Sequence, residues 1–260
     1  MQVTGKNIVI TGAGSGIGAA MARRFAAEGA AGLCLSDINA EAAAQVAAGL
    51  ECRTVALGTD VGDEAQVRAM AEAASELGPI DLMCSNAGIG TGAGLEATPE
   101  QWAAAWAVNV QAHVYAARAV LPGMLERGQG YLLHTCSAAG LLTQPGDAPY
   151  AVTKHAAVAF AEWLALTYGD QGIKVSALCP QGVRTPLLTG GMDGLAGKAV
   201  AAAGEILEPE DVAGAVIAGL DAESFLILPH PEVAEFVRRK AGDRDRWLSG
   251  LRRMVAGVHD

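Results

Sequence analysis

The sequence predicts a single α/β domain, built on a doubly wound parallel sheet with helices on both faces. Three observations predict it. The chain has 260 residues, of which 51% are hydrophobic and 18% charged, so it can bury a large core and is too apolar to be disordered. Short apolar runs alternate with Ala-rich segments of helical spacing, a pattern that produces βαβ crossovers and a parallel sheet. Neither a repeat nor a linker divides residues 1–260, so one domain is expected.

Seven short apolar runs are the predicted strands. Ile8–Ile10 and Leu132–Leu133 are apolar on both faces, as expected for strands in the middle layer of such a fold. The seven segments are Asn7–Thr11, Gly32–Ser36, Arg53–Leu57, Ile80–Ser85, Gly130–Cys136, Lys174–Cys179 and Phe225–Leu228.

Five segments between these strands are predicted helices. Asp63, Thr98 and Asp147 stand where an N-cap is expected, and Pro99 and Pro149 suit a first helical turn. The segments are Ile17–Glu28, Ala40–Gly49, Asp63–Leu77, Pro99–Glu126 and Pro149–Gly169.

A glycine-rich turn connects the first strand to the first helix. Gly12, Gly16 and Gly18 have GxxxGxG spacing, which lets phosphates approach the backbone at a helix N-terminus. A second copy of this spacing at residues 88–94 is not followed at once by a helix, and we interpret it as a flexible loop. The first turn predicts a pyrophosphate site, and tight packing alone is the alternative.

Acidic and amide side chains at the ends of the next strands indicate the kind of dinucleotide. Asp37 ends the second strand about 20 residues after the turn, where a carboxylate binds the adenosine ribose hydroxyls and would repel a 2′-phosphate. No Arg or Lys occupies positions 13, 15, 38 or 39, so NAD is predicted rather than NADP. Asp37 could instead cap the next helix near Asn39. Asp60 and Asn86 follow the third and fourth strands, where they would contact the dinucleotide or only stabilise their own loops.

Tyr150 and Lys154 are four residues apart on a predicted helix and therefore share a face. Ser137 stands at the end of the preceding strand. The Lys154 ammonium is expected to lower the pKa of Tyr150, so that Tyr150 acts as a general base on an alcohol or as an acid toward a ketone. Ser137 would hydrogen-bond the same substrate oxygen. An ordinary surface Tyr/Lys pair is the alternative.

Together these motifs resemble those of the short-chain dehydrogenases/reductases over about residues 5–230. That resemblance implies a Rossmann-like sheet of seven parallel strands and hydride transfer to C4 of the nicotinamide. The motifs, in the order of the family, are Thr11–Gly18, Asn86-Ala87-Gly88, Asn109, Ser137, Tyr150-x-x-x-Lys154 and Pro180…Val183-x-Thr185.

The resemblance also implies a role for each matching residue. Ser137, Tyr150, Lys154 and Asn109 would be catalytic, with Lys154 also contacting the nicotinamide ribose and Asn109 holding a water in a proton relay. Val183 and Thr185 would contact the nicotinamide carboxamide. The predicted cofactor-binding residues are Gly12, Ser15, Gly16, Ile17, Gly18, Asp37, Asp60, Val61, Asn86, Ala87, Gly88, Tyr150, Lys154, Pro180, Val183 and Thr185.

Two positions depart from the family pattern. Ser85 stands where the family usually has Asn, a mild change. Gln181 follows Pro180 where the family usually has Gly, so a side chain beside the nicotinamide is expected to shape the substrate pocket or shift the backbone.

Family resemblance places substrate contacts near residues 87–96, 138–147 and 181–204, which are rich in leucine and poor in charge. An apolar secondary alcohol or ketone, whether cyclic, aromatic or steroid-like, fits better than a small hydroxy acid, unless the leucines only close over the cofactor. Glycines 190, 191 and 194 predict a mobile lid over about residues 185–206. The candidate contacts are Leu141, Leu142, Gln144, Gln181, Leu187, Leu188 and Met192.

The formal charge of −10 is unevenly distributed. Residues 238–260 hold seven basic groups against three acids, and a basic helical tail is predicted over about residues 231–260. It could be a solvated or subunit-facing helix, or a flap over an anionic ligand. The acidic balance of the rest of the chain argues against nucleic acid as a partner.

Cysteine and histidine patterns indicate neither disulfides nor a metal site. The five cysteines form no C-x-x-C pair and are expected to be free thiols in a reducing cytoplasm, and His113 and His134 are expected to be structural. No run of about 18 apolar residues and no signal-peptide pattern occurs, so a cytoplasmic protein without a membrane span is predicted.

The leading functional hypothesis is an NAD-dependent dehydrogenase that interconverts a small-molecule secondary alcohol and a ketone. A 3-oxoacyl-type carbonyl reductase and a non-catalytic, dinucleotide-binding regulatory protein are the alternatives, and the intact Ser137, Tyr150 and Lys154 disfavour the second. The family resemblance implies a homo-oligomer, a tetramer or dimer, with apolar surface on the fourth and fifth helices, part of which must face the sheet. The residues that supply this surface are Trp102, Trp106, Val110, Val114, Val158, Phe160 and Trp163.

Overall fold

The computed structural model of the protein describes residues 1–259, which form one domain around a seven-stranded sheet. Each strand pairs in parallel with its neighbours, in the order β3-β2-β1-β4-β5-β6-β7. The strands are β1 (Asn7–Thr11), β2 (Gly32–Asp37), β3 (Arg53–Gly58), β4 (Leu82–Ser85), β5 (Gly130–Thr135), β6 (Ile173–Leu178) and β7 (Leu226–Ile227).

Helices connect the strands and extend beyond the last of them. They are α1 (Gly16–Ala27), α2 (Ala40–Ala48), α3 (Glu64–Ser75), α4 (Pro99–Trp106), α5 (Ala112–Glu126), α6 (Ala148–Tyr168), α7 (Pro186–Thr189), α8 (Leu195–Ala203), α9 (Pro209–Asp221), α10 (Glu232–Gly242) and α11 (Arg244–His259). A π-helical segment, Ala107–Gln111, joins α4 to α5, and short 3₁₀ turns cover Ala138–Gly140 and Gly169–Gln171.

Two apolar cores cover the two faces of the sheet. On one face, α1 packs against α9, and Phe25 and Val212 are fully buried. On the other face, α3, α5 and α6 bury residues such as Met70, Met124 and Leu164. β1 lies between β2 and β4, so the direction of winding reverses there and opens a crevice at the carboxyl ends of the strands.

The predicted fold class and strand number are confirmed, and each predicted strand overlaps an observed one. Asp63, Thr98 and Asp147 cap α3, α4 and α6 as predicted, and Thr98 forms a capping box with Gln101. The predicted helix Pro99–Glu126 is wrong in one respect, since the π-helical segment interrupts it.

None of the described helices is both long and apolar enough to span a bilayer. Within residues 1–259, no three His, Cys, Asp or Glu side chains gather in a way that could hold a metal ion. All five cysteines are free, and all but Cys52 are buried.

Candidate active site

One large cavity of about 1600 Å³ lies at the carboxyl ends of the strands. The glycine turn after β1 and the loop after β2 line one end. The catalytic candidates Ser137, Tyr150 and Lys154 also line it, together with the segments Pro180–Val183 and Thr185–Leu188. Most of the predicted site residues therefore meet in a single space, although they are far apart in the sequence.

The glycine turn places helix α1 with its N-terminus at this cavity. Gly12 and Gly16 have φ of +64° and +51°, conformations that glycine adopts without strain. Ser15 precedes the helix in an extended conformation, and its side chain does not cap it. The N–H groups of the first helical turn have no intrahelical acceptors, so they can bind an anion.

Gly18 holds this turn by packing, and it does not line the cavity. A side chain at position 18 would overlap the Gly12 carbonyl oxygen and lie 2.7 Å from Asn86 Nδ2. Gly18 thus brings α1 against the end of β1, so it shapes the glycine turn and is not part of the cavity lining.

Replacing Gly18 by alanine is expected to destabilise the protein by about 1–3 kcal/mol, because backbone must move to admit the methyl group. Binding of NADH should weaken as Gly12 shifts. Denaturant unfolding and titration with NADH measure the two effects. Gly169→Ala is the control, since no atom lies within 4 Å of its would-be side chain. Wild-type stability and NADH affinity in Gly18→Ala would contradict this account.

Asp37 combines a structural role with a place in the cavity lining. Its Oδ2 accepts a hydrogen bond from Gly14 N at 2.9 Å, and its Oδ1 accepts one from Asn39 N at 3.0 Å. Asn39, rather than Asp37, caps α2. Each carboxylate oxygen can accept a second hydrogen bond, so Asp37 remains able to bind ribose hydroxyls.

Apolar and acidic side chains line the cavity near Asp37. Ile38, Asp60 and Val61 line the same end of the cavity, and Ile38 is 79% exposed. The side chain of Asp60 accepts a hydrogen bond from Gly62 N at 2.9 Å, so it also stabilises its own loop. No Lys or Arg of the described residues lines this end of the cavity.

Asn86 ties three strands together beneath the cavity. Its Nδ2 donates to Thr11 O at 3.0 Å, and its Oδ1 accepts from Thr135 Oγ1 at 3.0 Å. The Thr11 hydroxyl in turn accepts from Asn86 N and Ala87 N. Asn86 therefore fixes the relative positions of the glycine turn and of the β5 end that carries Ser137.

Ser137, Tyr150 and Lys154 come together where β5 and α6 meet. Lys154 is 2% exposed, and its Nζ donates to Thr135 O at 3.0 Å and lies 5.6 Å from the centroid of the Tyr150 ring. Ser137 Oγ accepts from Ala139 N at 3.0 Å, which turns the hydroxyl toward the start of the 3₁₀ turn. The three functional groups therefore surround one corner of the cavity.

The prediction that Lys154 lowers the pKa of Tyr150 is wrong, since that pKa is raised to about 12. Burial is the largest cause and the Asp147 carboxylate adds to it, while the Ser137 hydroxyl opposes the shift. Burial also lowers the pKa of Lys154, since the site desolvates both charged forms. Tyr150 is therefore a protonated phenol that can donate a hydrogen bond or a proton to a carbonyl oxygen.

Asn109 lies in the π-helical segment, beside the cavity and outside its lining. Its amide oxygen accepts from Ile89 N at 2.9 Å, and its Nδ2 donates to Ile89 O and to Thr153 Oγ1. A side chain at Gly88 would lie 3.3 Å from Lys154 Nζ and 3.4 Å from Asn109 Oδ1. Gly88 therefore keeps open the space beside both groups.

Asp147 organises the loop opposite Tyr150. It is 5% exposed, and its carboxylate accepts hydrogen bonds from Thr91 N, Thr91 Oγ1, Gly92 N and Tyr150 N at 2.7–3.0 Å. The second glycine copy, predicted to be a flexible loop, is thereby attached to the first turn of α6. Its contacts leave Asp147 little capacity to bind substrate.

Two buried histidines lie near the corner of the cavity that Ser137, Tyr150 and Lys154 surround. His113 Nδ1 and His134 Nδ1 are 2.9 Å apart, both side chains are 1% exposed, and neither Nε2 has a partner among the described residues. Burial lowers the pKa of His134 to about 4 and also lowers the pKa of His113. These histidines are therefore neutral core residues, in agreement with the predicted structural role.

The histidine pair is expected to make stability fall with acid. Unfolded histidine binds a proton near pH 6.5 and folded His134 only near pH 4, so protonation favours the unfolded state between these values. The unfolding free energy should drop by about 3 kcal/mol more over this interval in the wild type than in His134→Gln, at about 1.4 kcal/mol per pKa unit. Denaturant unfolding at several pH values measures it, with exposed His155→Gln as control. The same dependence of the unfolding free energy on pH in the wild type and in His134→Gln would contradict a lowered pKa of His134.

Five of the seven predicted substrate residues line the cavity: Leu142, Gln144, Gln181, Leu187 and Leu188. Leu141 and Met192 do not. Leu141 packs beside Leu142 in a small core with Val233, and the backbone of Met192 packs against Gly197. Gln181 Oε1 is buried without a hydrogen-bond partner among the described residues.

Sequence reasoning missed Thr153 and much of the cavity wall. Thr153 donates to Pro149 O within α6 and accepts from Asn109, and only this second, tertiary contact links it to the site, so the sequence carries no signal for it. Helices α10 and α11 also line the cavity, so the predicted basic tail lies over the site. Its lining residues are Phe236, Arg239, Gly242, Asp243, Arg246, Trp247, Gly250, Leu251, Arg253 and Met254.

A seven-stranded dinucleotide fold with a Ser-Tyr-Lys corner is the architecture of nicotinamide-dependent oxidoreductases, and comparison specifies the family. Residues 6–196 match the short chain dehydrogenase family, to which the chain belongs.

Three curated relatives from bacteria share about a third of their residues with the chain. The 1-deoxy-11-beta-hydroxypentalenate dehydrogenase of Streptomyces exfoliatus is 35% identical, over 96% of this chain and 92% of its own. The meso-2,3-butanediol dehydrogenase of Serratia marcescens is 37% identical, over 87% and 92%. The 2,5-dichloro-2,5-cyclohexadiene-1,4-diol dehydrogenase of Sphingobium indicum is 35% identical, over 86% and 94%.

Two solved structures carry different cofactors. A short chain dehydrogenase/reductase from Burkholderia phymatum in complex with NAD is 33% identical, with a TM-score of 0.84, over 94% of this chain and 96% of its own. A short-chain dehydrogenase from Sphingobium yanoikuyae in complex with NADPH is 26% identical, with a TM-score of 0.79, over 94% and 95%. Membership of the family therefore leaves the choice between NAD and NADP to the residues of this chain.

Proposed function

We propose that this protein is an NAD-dependent dehydrogenase that interconverts a secondary alcohol and a ketone on an apolar, small-molecule substrate. One observation carries the proposal: Ser137, Tyr150 and Lys154 line the same cavity as the glycine turn and Asp37. A substrate hydroxyl beside Ser137, Tyr150 and Lys154 would therefore share one cavity with a dinucleotide held by the glycine turn and Asp37.

The residues present fit a nicotinamide dinucleotide. Gly12 and Gly16 leave the backbone open to a pyrophosphate at the N-terminus of α1, and Asp37 presents a carboxylate at the end of β2. Asp60 and Val61 would border the adenine, and Ala87, Pro180, Val183 and Thr185 the nicotinamide side. When bound, the oxidised nicotinamide supplies the hydride acceptor for the carbinol carbon.

Tyr150 would exchange the hydroxyl proton of the substrate. In the ketone direction its protonated phenol donates directly, as the raised pKa favours. In the alcohol direction it must lose a proton, and a positive charge beside it would favour the phenolate. Lys154 Nζ lies 5.6 Å from the ring, and an oxidised nicotinamide in the cavity would add to the same effect. Ser137 Oγ would hold the substrate oxygen.

Asn109 would serve the proton path rather than touch the substrate. It does not line the cavity, and it holds Ile89 and Thr153 in place. The space that Gly88 keeps open beside Lys154 Nζ and Asn109 Oδ1 could hold a water that passes the proton onward.

An apolar substrate suits the cavity walls. Leu142, Leu187 and Leu188 line them, together with the C-terminal Trp247 and Leu251. Relatives whose names describe them as diol and hydroxy-acid dehydrogenases support a secondary alcohol as substrate, one of them a cyclic diol. Gln181, which also lines the cavity, would add a polar group to this otherwise apolar wall.

We also propose a cytoplasmic homo-oligomer. Trp106 on α4 is 43% exposed, and Trp163 and Leu166 on α6 are 52% and 86% exposed. α4 packs against α6, so these side chains offer a neighbouring apolar surface to a second copy. The free, buried thiols fit a reducing compartment.

A screen of secondary alcohols tests the function. Cyclohexanol, indanol and a hydroxysteroid should each be offered with NAD and with NADP, and reduced cofactor read by absorbance. We expect oxidation with NAD of at least one member. Activity confined to NADPH and 3-oxoacyl thioesters would instead establish the reductase alternative, and cofactor binding without any turnover would establish a regulatory protein.

A further inference from the structure

We propose that Arg246 and Arg253 bind an oxyanion of the substrate, either a carboxylate or a phosphate. The preferred substrate would then be an apolar secondary alcohol that also carries an acidic group. This inference rests on the proposed function for the position of the reacting hydroxyl, and it adds a substrate class to it.

Helix α11 presents one face to the cavity. Trp247, Gly250, Leu251 and Met254 form an apolar stripe at helical spacing, and all four line the cavity. Helix α11 also packs against α8, which forms another part of the same wall. The helix therefore belongs to the substrate end of the cavity.

Arg246 and Arg253 stand beside this stripe, seven residues or two turns apart. They are separated by about 10 Å along the helix axis, a span that two arginine side chains can close upon one oxyanion. Arg253 Nη2 lies 3.9 Å from the position where Gly250 would carry a side chain, so its guanidinium folds back toward the cavity wall.

Other charged groups at this end of the cavity are already engaged. Arg239 pairs with Glu235 at 2.9 Å, and Asp243 Oδ1 accepts from Arg246 N at 2.9 Å as a helix cap. Asp147 uses its carboxylate on the loop at Thr91 and Gly92. Within residues 1–259, neither Arg246 nor Arg253 has a carboxylate within ion-pair distance.

A second donor points to the same chemistry. Trp247 Nε1 is buried and finds no acceptor among the described residues, although an indole N–H can only donate. The Nε1 atom exposes less than 1 Å², so an acceptor in the cavity reaches it only when the indole ring shifts. Because an unpaired buried donor costs free energy, such a contact would be stabilising. A substrate oxyanion supplies such an acceptor, and guanidinium groups bind it through charge-assisted hydrogen bonds.

The distribution of charge along the chain supports anion binding by these two arginines. Residues 1–237 carry a formal charge of −14, which repels anions, whereas residues 238–260 carry +4. Cationic side chains in the cavity wall would not stabilise a bound neutral alcohol. They would stabilise a bound substrate that carries an acidic group.

Binding of simple amphiphiles tests the inference without turnover. Octanoate, octyl phosphate and octanol are titrated by calorimetry into the NADH-loaded protein. We expect one of the two anions to bind about tenfold or more tightly than octanol, and this preference to be lost in R246Q/R253Q. The comparison of octanoate with octyl phosphate decides which oxyanion the site takes. R244Q/R252Q is the matched control, with the same change of charge on the same helix but at residues that do not line the cavity.

Three results would overturn the inference. The first is unchanged anion binding in R246Q/R253Q, and the second is an equal loss in R244Q/R252Q, which would indicate only unspecific attraction. The third is weaker NADH binding by R246Q/R253Q with octanoate binding intact, which would assign the arginines to the cofactor. Failure of the wild type to oxidise any alcohol would refute the proposed function separately, since the calorimetry requires no turnover.

Discussion

Replacing Tyr150 by phenylalanine is expected to lower kcat for alcohol oxidation by about 10²–10⁴-fold, the range that general acid–base groups contribute. The phenol is the one group at the Ser137–Lys154 corner placed to take the substrate proton, and phenylalanine keeps the ring while removing that group. NADH affinity should stay within about twofold of the wild type, because the glycine turn and Asp37 are untouched. Initial rates with NAD and calorimetric titration with NADH measure the two effects.

Tyr168→Phe is the matched control for this substitution. Tyr168 ends the same helix, α6, and packs against Trp163 rather than lining the cavity. It should keep wild-type kcat. Substantial turnover in Tyr150→Phe would remove Tyr150 from its proposed role as acid and base, whereas loss of NADH binding would indicate a damaged site.

The wild type is expected to prefer NAD over NADP by about 100-fold in kcat/KM. A 2′-phosphate beside Asp37 would suffer like-charge repulsion of several kcal/mol, and about 3 kcal/mol corresponds to two orders of magnitude. No Lys or Arg of the described residues lines that end of the cavity to offset it. Asp37→Asn keeps an amide oxygen as acceptor but removes the charge, so it should lower the preference by one to two orders of magnitude.

Glu41→Gln is the matched control for Asp37→Asn. Glu41 lies in the first turn of α2 and does not line the cavity. Its replacement by glutamine removes one negative charge from the same region, as Asp37→Asn does. The ratio of kcat/KM values for NAD and NADP is measured at a saturating alcohol concentration. A wild-type preference for NADP, or an unchanged ratio in Asp37→Asn, would contradict the role of Asp37.

Features that depend on neighbouring residues could be predicted from the sequence. The bounds of β1 and the caps Asp63, Thr98 and Asp147 follow from local apolar patterns and local hydrogen bonds. The convergence of Asp37 and Ser137 could be anticipated because parallel strands bring their carboxyl ends to one edge of the sheet.

Features that depend on tertiary contacts could not be predicted. The π-helical segment around Asn109 is stabilised by contacts with Ile89 and Thr153, which belong to other elements. The raised pKa of Tyr150 results from burial, which a motif does not encode. The basic tail could be recognised as helical, yet its position over the cavity follows from packing of α11 against α8.

Transfer of a labelled hydride from substrate to cofactor tests the proposed dehydrogenase reaction. The best secondary alcohol from the screen is prepared with deuterium on its carbinol carbon and incubated with the protein and NAD, and the reduced cofactor is analysed by mass spectrometry. We expect reduced NAD that carries one deuterium, together with the corresponding ketone. Reduced cofactor without deuterium, or ketone formed without reduced cofactor, would contradict it.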